Sequence, residues 1–113
     1  MSGPVKLNRR LALEAPVRVP DGAGGYLTSW GLQGYIWGLL TPGTGREGLD
    51  AGLTQSEVPY RITVRAAPHG APARPKAEQR FRLGTRVFHI TAVTDSDAAG
   101  RYLTCHAREE ALT

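Results

Sequence analysis

Two histidines and one cysteine are the first residues here whose types invite chemistry. His89 and His106 lie in Arg86–Val93 and Arg101–Arg108, segments that alternate polar and apolar residues. If the two segments form a hairpin that sets His89 opposite His106, the imidazoles share one sheet face, a possible start for a metal site. No third or fourth ligand stands near them, so the expectation is two histidines on a polar sheet face and no metal. Cys105 falls on the other parity. A nucleophilic cysteine needs a neighbouring base and a partly open, electropositive setting, whereas an inward lone cysteine is a small core hydrophobe. A single cysteine also excludes an internal disulfide and a multi-cysteine metal site.

The remaining polar residues add no reaction centre. Asp95 and Asp97 belong to Asp95-Ser96-Asp97-Ala98-Ala99-Gly100, where turn chemistry accounts for them, and Glu109 and Glu110 lie in a solvated tail. The glycine-rich stretches 22–25 and 43–48 lack the lysine and the helix start of a nucleotide loop. Trp30, Tyr35 and Trp37 have the types of a base-stacking platform. Large aromatics in a small barrel more often supply core volume, and Trp30 and Trp37 are assigned to the core on that ground. No enzyme and no cofactor are expected.

The elements that must position these residues read as strands. Leu7, Leu11 and Leu13 share one parity, and Val17 and Val19 can extend that strand past Pro16 to the turn Asp21-Gly22-Ala23-Gly24-Gly25. Tyr26 to Leu40 is the longest apolar stretch. Glycines at 31, 34 and 38 argue against a helix and for a long strand with a bulge near Gly34. Thr41-Pro42-Gly43-Thr44-Gly45 ends it, and one or two helical turns are possible between Arg46 and Gln55. Val58, Tyr60, Ile62 and Val64 alternate with polar residues as a third strand. Ala66–Glu78, with three prolines and no periodicity, is expected as an exposed or disordered loop. Phe81 and Leu83 alternate with arginines before the Gly84-Thr85 turn and the final hairpin. With no crossover-length helix, the sheet must be mainly antiparallel. The expected fold is a small all-β barrel with long loops and at most a short helix, one domain over 1–113. Its expected core is Leu11, Leu13, Trp30, Trp37, Tyr60, Ile62, Phe88, Ile90, Leu103 and Cys105.

Composition sets wide bounds. The chain has 113 residues, 41% of them hydrophobic, and a net charge of +4. Twelve of the fourteen basic residues are arginines, but they are spread along the chain rather than clustered. Contact with nucleic acid or an acidic surface is permitted, not required. MSGPVKLNRR has no apolar run after its charges, and nothing approaches the roughly 18 apolar residues of a membrane helix. Use in the cytoplasm, or in a particle assembled there, is expected.

The order of the segments resembles the phage head–tail joining family, also called head-closure or stopper proteins. The likeness rests on Leu7–Glu14, on Asp21 to Trp30, and on the run Ile36-Trp37-Gly38-Leu39-Leu40 ending in Thr41–Glu47. Tyr60-Arg61-Ile62-Thr63-Val64-Arg65 and Arg86–Val93 complete it. No single piece is specific; their order and spacing together are. The composition is also similar to the version carried by gene transfer agents of α-proteobacteria. Ala66–Glu78 departs from the family, being longer than the short turn expected there.

The resemblance implies a structural connector in the neck of a phage or gene transfer agent particle, assembled in the bacterial cytoplasm. It implies a homo-oligomeric ring of six or twelve copies that closes the head channel. An adaptor or portal would lie on one side, a tail terminator or tail tube protein on the other, with no membrane involved. Two sets of residues are candidates within that frame. Thr44, Gly45, Arg46 and Glu47 form a turn suited to docking on a neighbour. Arg74, Lys76 and Arg80 could line the channel and hold the end of the packaged double-stranded DNA by phosphate attraction. The alternatives are a nucleic-acid-binding barrel and a tail terminator of the same particle.

Overall fold

The computed structural model describes residues 6–43 and 57–110. Six strands carry the described chain: β1 (Arg9–Pro20), β2 (Tyr26–Pro42), β3 (Glu57–Arg65), β4 (Arg80–Leu83), β5 (Arg86–Asp95) and β6 (Tyr102–Glu110). All neighbours are antiparallel, and the order β1-β2-β3-β6-β5-β4 closes on itself as a barrel. Among the described residues there is no helix, in keeping with the all-β expectation. The short helical turns expected near 46–55 lie outside the described residues.

Period-2 patterning sets which side chains enter the barrel. Leu11 and Leu13, Ile62 and Val64, Phe81, Phe88 and Ile90, and Leu103, Cys105 and Ala107 are buried and form one core cluster. Tyr60 is only partly buried and packs against that cluster. The tryptophans do not follow expectation. Trp37 is 54% exposed on the outer wall, and Trp30 is partly buried outside the core. For Trp37 the reason is the neighbouring Gly38, whose inward position is already filled: an added Cβ would lie 2.9 Å from Leu11 Cδ1. A barrel this narrow takes leucines and phenylalanines and leaves the indoles outside.

The final hairpin also differs from simple alternation. Its register shifts between Ile90 and Ala92, leaving Thr91 as the extra residue. His89 therefore pairs with Arg108, and His106 with Ala92, rather than with each other. A one-residue slip exchanges the two faces, so Ala92 turns outward and Val93 packs on the core.

Two features close the barrel ends. Residues 66–79 link β3 to β4, which stand opposite each other in the strand ring, so the segment must cross one mouth. It is exposed along much of its length but tied down: Pro75 is buried, and the Arg74 guanidinium donates to the Ala67 carbonyl at 2.6 Å. The Glu78 N–H donates to the Ile90 carbonyl, and the Ile90 N–H to the Gln79 carbonyl, each at 2.9 Å. These bonds hold Glu78 at φ 74°, a conformation that a non-glycine residue keeps only when its surroundings impose it. At the other mouth Arg86 donates to Glu109 and to the Tyr60 hydroxyl, above the edge-to-face pair of Tyr60 and Phe88.

Candidate interaction surface

The β1–β2 ladder runs past the barrel. β4 pairs with β1 only at Ala12, Leu13 and Glu14, and β3 meets β2 only from Gly38 onward. From Ala15 to Trp30 the two strands pair, among the described residues, only with each other, and they form an arm with Asp21–Gly25 at its tip. The tip is built by Asp21, whose Oδ1 accepts the Ala23 and Gly25 N–H groups at 2.8 and 3.0 Å. Those bonds hold its carboxyl below the ordinary carboxylate range. At the arm's root the register shifts between Leu13 and Glu14, where Gln33 is the extra residue of β2 beside Gly34.

The shift at Gln33 decides what the outside of the molecule displays. Before it, Tyr26, Thr28, Trp30 and Leu32 face outward; after it, Tyr35 and Trp37 do. Without the extra residue, one of these two sets would point inward. The outcome is a continuous outer face of large apolar and aromatic side chains, with Leu32 54% and Tyr35 55% exposed.

Arginines are laid over this face. Arg10 lies 4.0 Å from the Tyr35 ring centroid, Arg18 4.4 Å from Tyr26 and Arg80 4.1 Å from Trp30. Glu14 holds Arg80 at 2.6 Å and Arg82 at 3.6 Å. Arg10, Glu14, Leu32, Tyr35, Arg82 and Gly84 line an open groove there. Tryptophan, tyrosine and arginine, locally ordered by stacking, are the side chains that carry most of the energy in protein–protein contacts. The inner face of the arm is also apolar. Val17, Val19 and Leu27 continue the parity of the core past the mouth of the barrel and remain exposed, Leu27 by 63%.

The residues singled out for chemistry are dispersed. His89 Nε2 bonds to Glu110, and the ring packs edge-on to Trp30 at 6.1 Å; His106 Nε2 contacts Thr94 Oγ1 at 3.4 Å. Among the described residues no three of His, Cys, Asp and Glu gather as a metal cluster. Burial pushes the Cys105 thiol up to about 12. Arg74, Lys76 and Arg80 do not form one set: Arg74 is bonded to its own loop, Arg80 belongs to β4 and is paired with Glu14, and Lys76 is exposed. Thr44, Gly45, Arg46 and Glu47 lie outside the described residues. The arm and the outer aromatic face were not anticipated. Their signal was present in Val17 and Val19, apolar residues that outlast the barrel, and in the apolar residues on both parities of 35–40.

The chain matches the model of the phage head completion protein family over residues 3–110. It is similar to a chain from the virion of a native gene transfer agent particle, with 43% identity over 97% of this chain and 100% of that one, at a TM-score of 0.78. Protein SF1141 from Shigella flexneri 2a shares the fold at 24% identity, covering 95% and 96% of the two chains, with a TM-score of 0.65. No curated protein matches it.

Proposed function

The chain belongs to the phage head completion protein family, and from that premise we propose that it joins the DNA-filled head of a phage, or of a gene transfer agent particle, to its tail. The observation that carries this reading is the whole-length likeness to a virion chain, 43% identical with all of that chain covered. The role is structural. The protein works as a ring of copies in the neck, with an adaptor or portal above it and a tail terminator or tail tube below.

The geometry supports a binding role in two ways. The barrel is filled by its core and crossed at one mouth by residues 66–79, so a channel for DNA has to run between copies rather than through one. The outer face and the arm present aromatic and aliphatic side chains in the amounts expected of contact surfaces. Of the three cations first considered for the DNA end, Arg74 and Arg80 are bonded within the fold and the Lys76 side chain is exposed, so Lys76 is the one to test.

The deciding experiment is electron microscopy of particles from a producing strain that lacks this gene, beside a complemented control. Separate heads and tails, with heads leaking or lacking DNA, are the expected result. Intact tailed particles with normal DNA would sink the proposal. A nucleic-acid-binding barrel is a second reading, favoured by Tyr35 stacked under Arg10 beside the exposed Trp37. It requires strong, salt-dependent binding of single strands by the isolated protein.

A further inference from the structure

The two exposed apolar faces of the β1–β2 ribbon lie on opposite sides and at different positions along it. Val17, Val19 and Leu27 face inward on the arm; Leu32, Tyr35 and Trp37 face outward at its root. One chain cannot bring these two faces together, because they are the front and back of the same two strands. We propose that a second copy of this chain does so: the inner face of one arm lies on the outer aromatic face of the next copy, and the contact repeats head to tail. This inference rests on the connector reading and names the contact that would build its ring.

Three observations favour a second copy as the occupant. First, each face supplies what the other lacks. The outer patch exposes two half-buried aromatics and a leucine, on the order of 300 Å² of apolar surface, and the aliphatic strip is of similar order. A soluble monomer rarely exposes two such patches, and together with their polar rims they reach the lower end of specific interfaces.

Second, the charges match in register. Asp21 lies two residues beyond Val19, and Arg10 lies two residues from Ala12, the partner of Tyr35. Both separations are about 7 Å along a strand. With Val19 over Tyr35, the arm tip can therefore bring its carboxylate to Arg10, which stacks on the Tyr35 ring.

Third, the β1 edge of the arm is closed to another mode of association. Within a ladder a proline sits where the missing N–H would point away from the partner strand, so Pro16 and Pro20 blunt the free edge of β1. Arg18 has the same parity and places a charge between them. Strand addition is discouraged there, and the faces of the ribbon remain for docking.

A front-to-back contact is heterologous and generates a ring when its rotation closes. It also makes an asymmetric prediction for disulfide trapping in assembled particles, using Val19→Cys and Tyr35→Cys in the full chain, with Cys105 left buried. Particles carrying either single variant should give no cross-linked species on oxidation. Particles with a mixture of the two should give dimers, and the double variant should give a ladder of multiples of the chain mass. Cross-linking by a single variant, or none in the mixture, overturns the contact. Images of the same particles separate the two levels of failure: a multi-subunit neck ring without cross-links rejects this contact and leaves the connector reading intact, while absence of the ring rejects both. As an independent check, Leu27→Asp should keep the wild-type circular dichroism spectrum and melting temperature but fail to enter the neck. Normal incorporation of that variant also overturns the proposal.

Discussion

Gly38 offers the sharpest test of how tightly this barrel is filled. Its hydrogen points into the core, and a Cβ in that place would meet Leu11 Cδ1 at 2.9 Å, Ile62 Cγ2 at 3.3 Å and the Thr63 carbonyl oxygen at 3.3 Å. Carbon pairs prefer about 3.5–4.0 Å. Neither neighbour can retreat easily, since Leu11 and Ile62 are fully buried and Thr63 contributes backbone. Overpacking of this kind costs about 1–3 kcal/mol. Replacing a strand glycine by alanine returns about 0.5–1 kcal/mol through the unfolded chain. The net expectation for Gly38→Ala is a loss within about 0–2.5 kcal/mol, centred near 1 kcal/mol, which is roughly 3–6 °C in melting temperature for a domain of this size. Gly31→Ala is the matched control, because its nearest neighbour would be Val17 Cγ2 at an ordinary 3.5 Å on the open arm. That variant should be neutral or slightly stabilised. Thermal melts followed by circular dichroism measure both. A Gly38→Ala protein more stable than wild type, as the Gly31→Ala control can be, would refute the claim that the filled core keeps the Trp37 indole outside.

Other expectations follow from the same structure. Trp37→Ser should change stability by less than about 0.5 kcal/mol, as surface substitutions do, yet reduce head–tail joining counted by microscopy. Glu109→Gln weakens the Arg86 clasp over Tyr60 and Phe88; because both partners are partly exposed, the loss should be only about 1 kcal/mol in urea denaturation. The hydrogen bond from Arg86 to Glu109 raises the guanidinium further above its ordinary value, so this clasp should persist through alkaline pH. Cys105 should resist thiol reagents at pH 8 in the folded protein and react on unfolding. Its folded pKa, about 12, lies above its ordinary 9.0, so the unfolded thiol ionises first and this group's effect is to lower stability as pH rises from 9 toward 12. Lys76→Gln should lower DNA retention if that side chain meets the DNA end, and unchanged retention in a phage-yield and DNA-content assay removes it from the channel.

Much of the fold was legible because period 2 is a direct readout of a strand with one buried face. Val58 to Val64 and Phe81 with Leu83 show it, and so does the bulge announced by the glycines near Gly34. Three features were not legible. Thr91 is an extra residue with no glycine or proline to mark it, so the register between His89 and His106 could not be read from alternation. Residues 35–40 are apolar on both parities, which leaves the side of Trp37 undecided until Gly38 is known to be filled by Leu11. The crossing of the barrel mouth by residues 66–79 depends on strand order, which places β3 opposite β4 and is not a local property of that segment. The outer aromatic face was hidden by the same ambiguity: the indoles assigned by size to the core in fact lie outside it, with Trp37 exposed and Trp30 partly buried.

The filled, plugged barrel has a mechanical consequence. Close-packed interiors yield little to compression, and here the packing is enclosed by a sheet with no open seam around its circumference. If the subunit stands in a neck as proposed, it would behave there as a stiff bead. Strain passes into the joints between beads, where a two-stranded arm can flex about its root at Gln33 and Gly34. Compliance of the whole neck would then be set by the arms, leaving each bead undeformed while the assembly twists or widens.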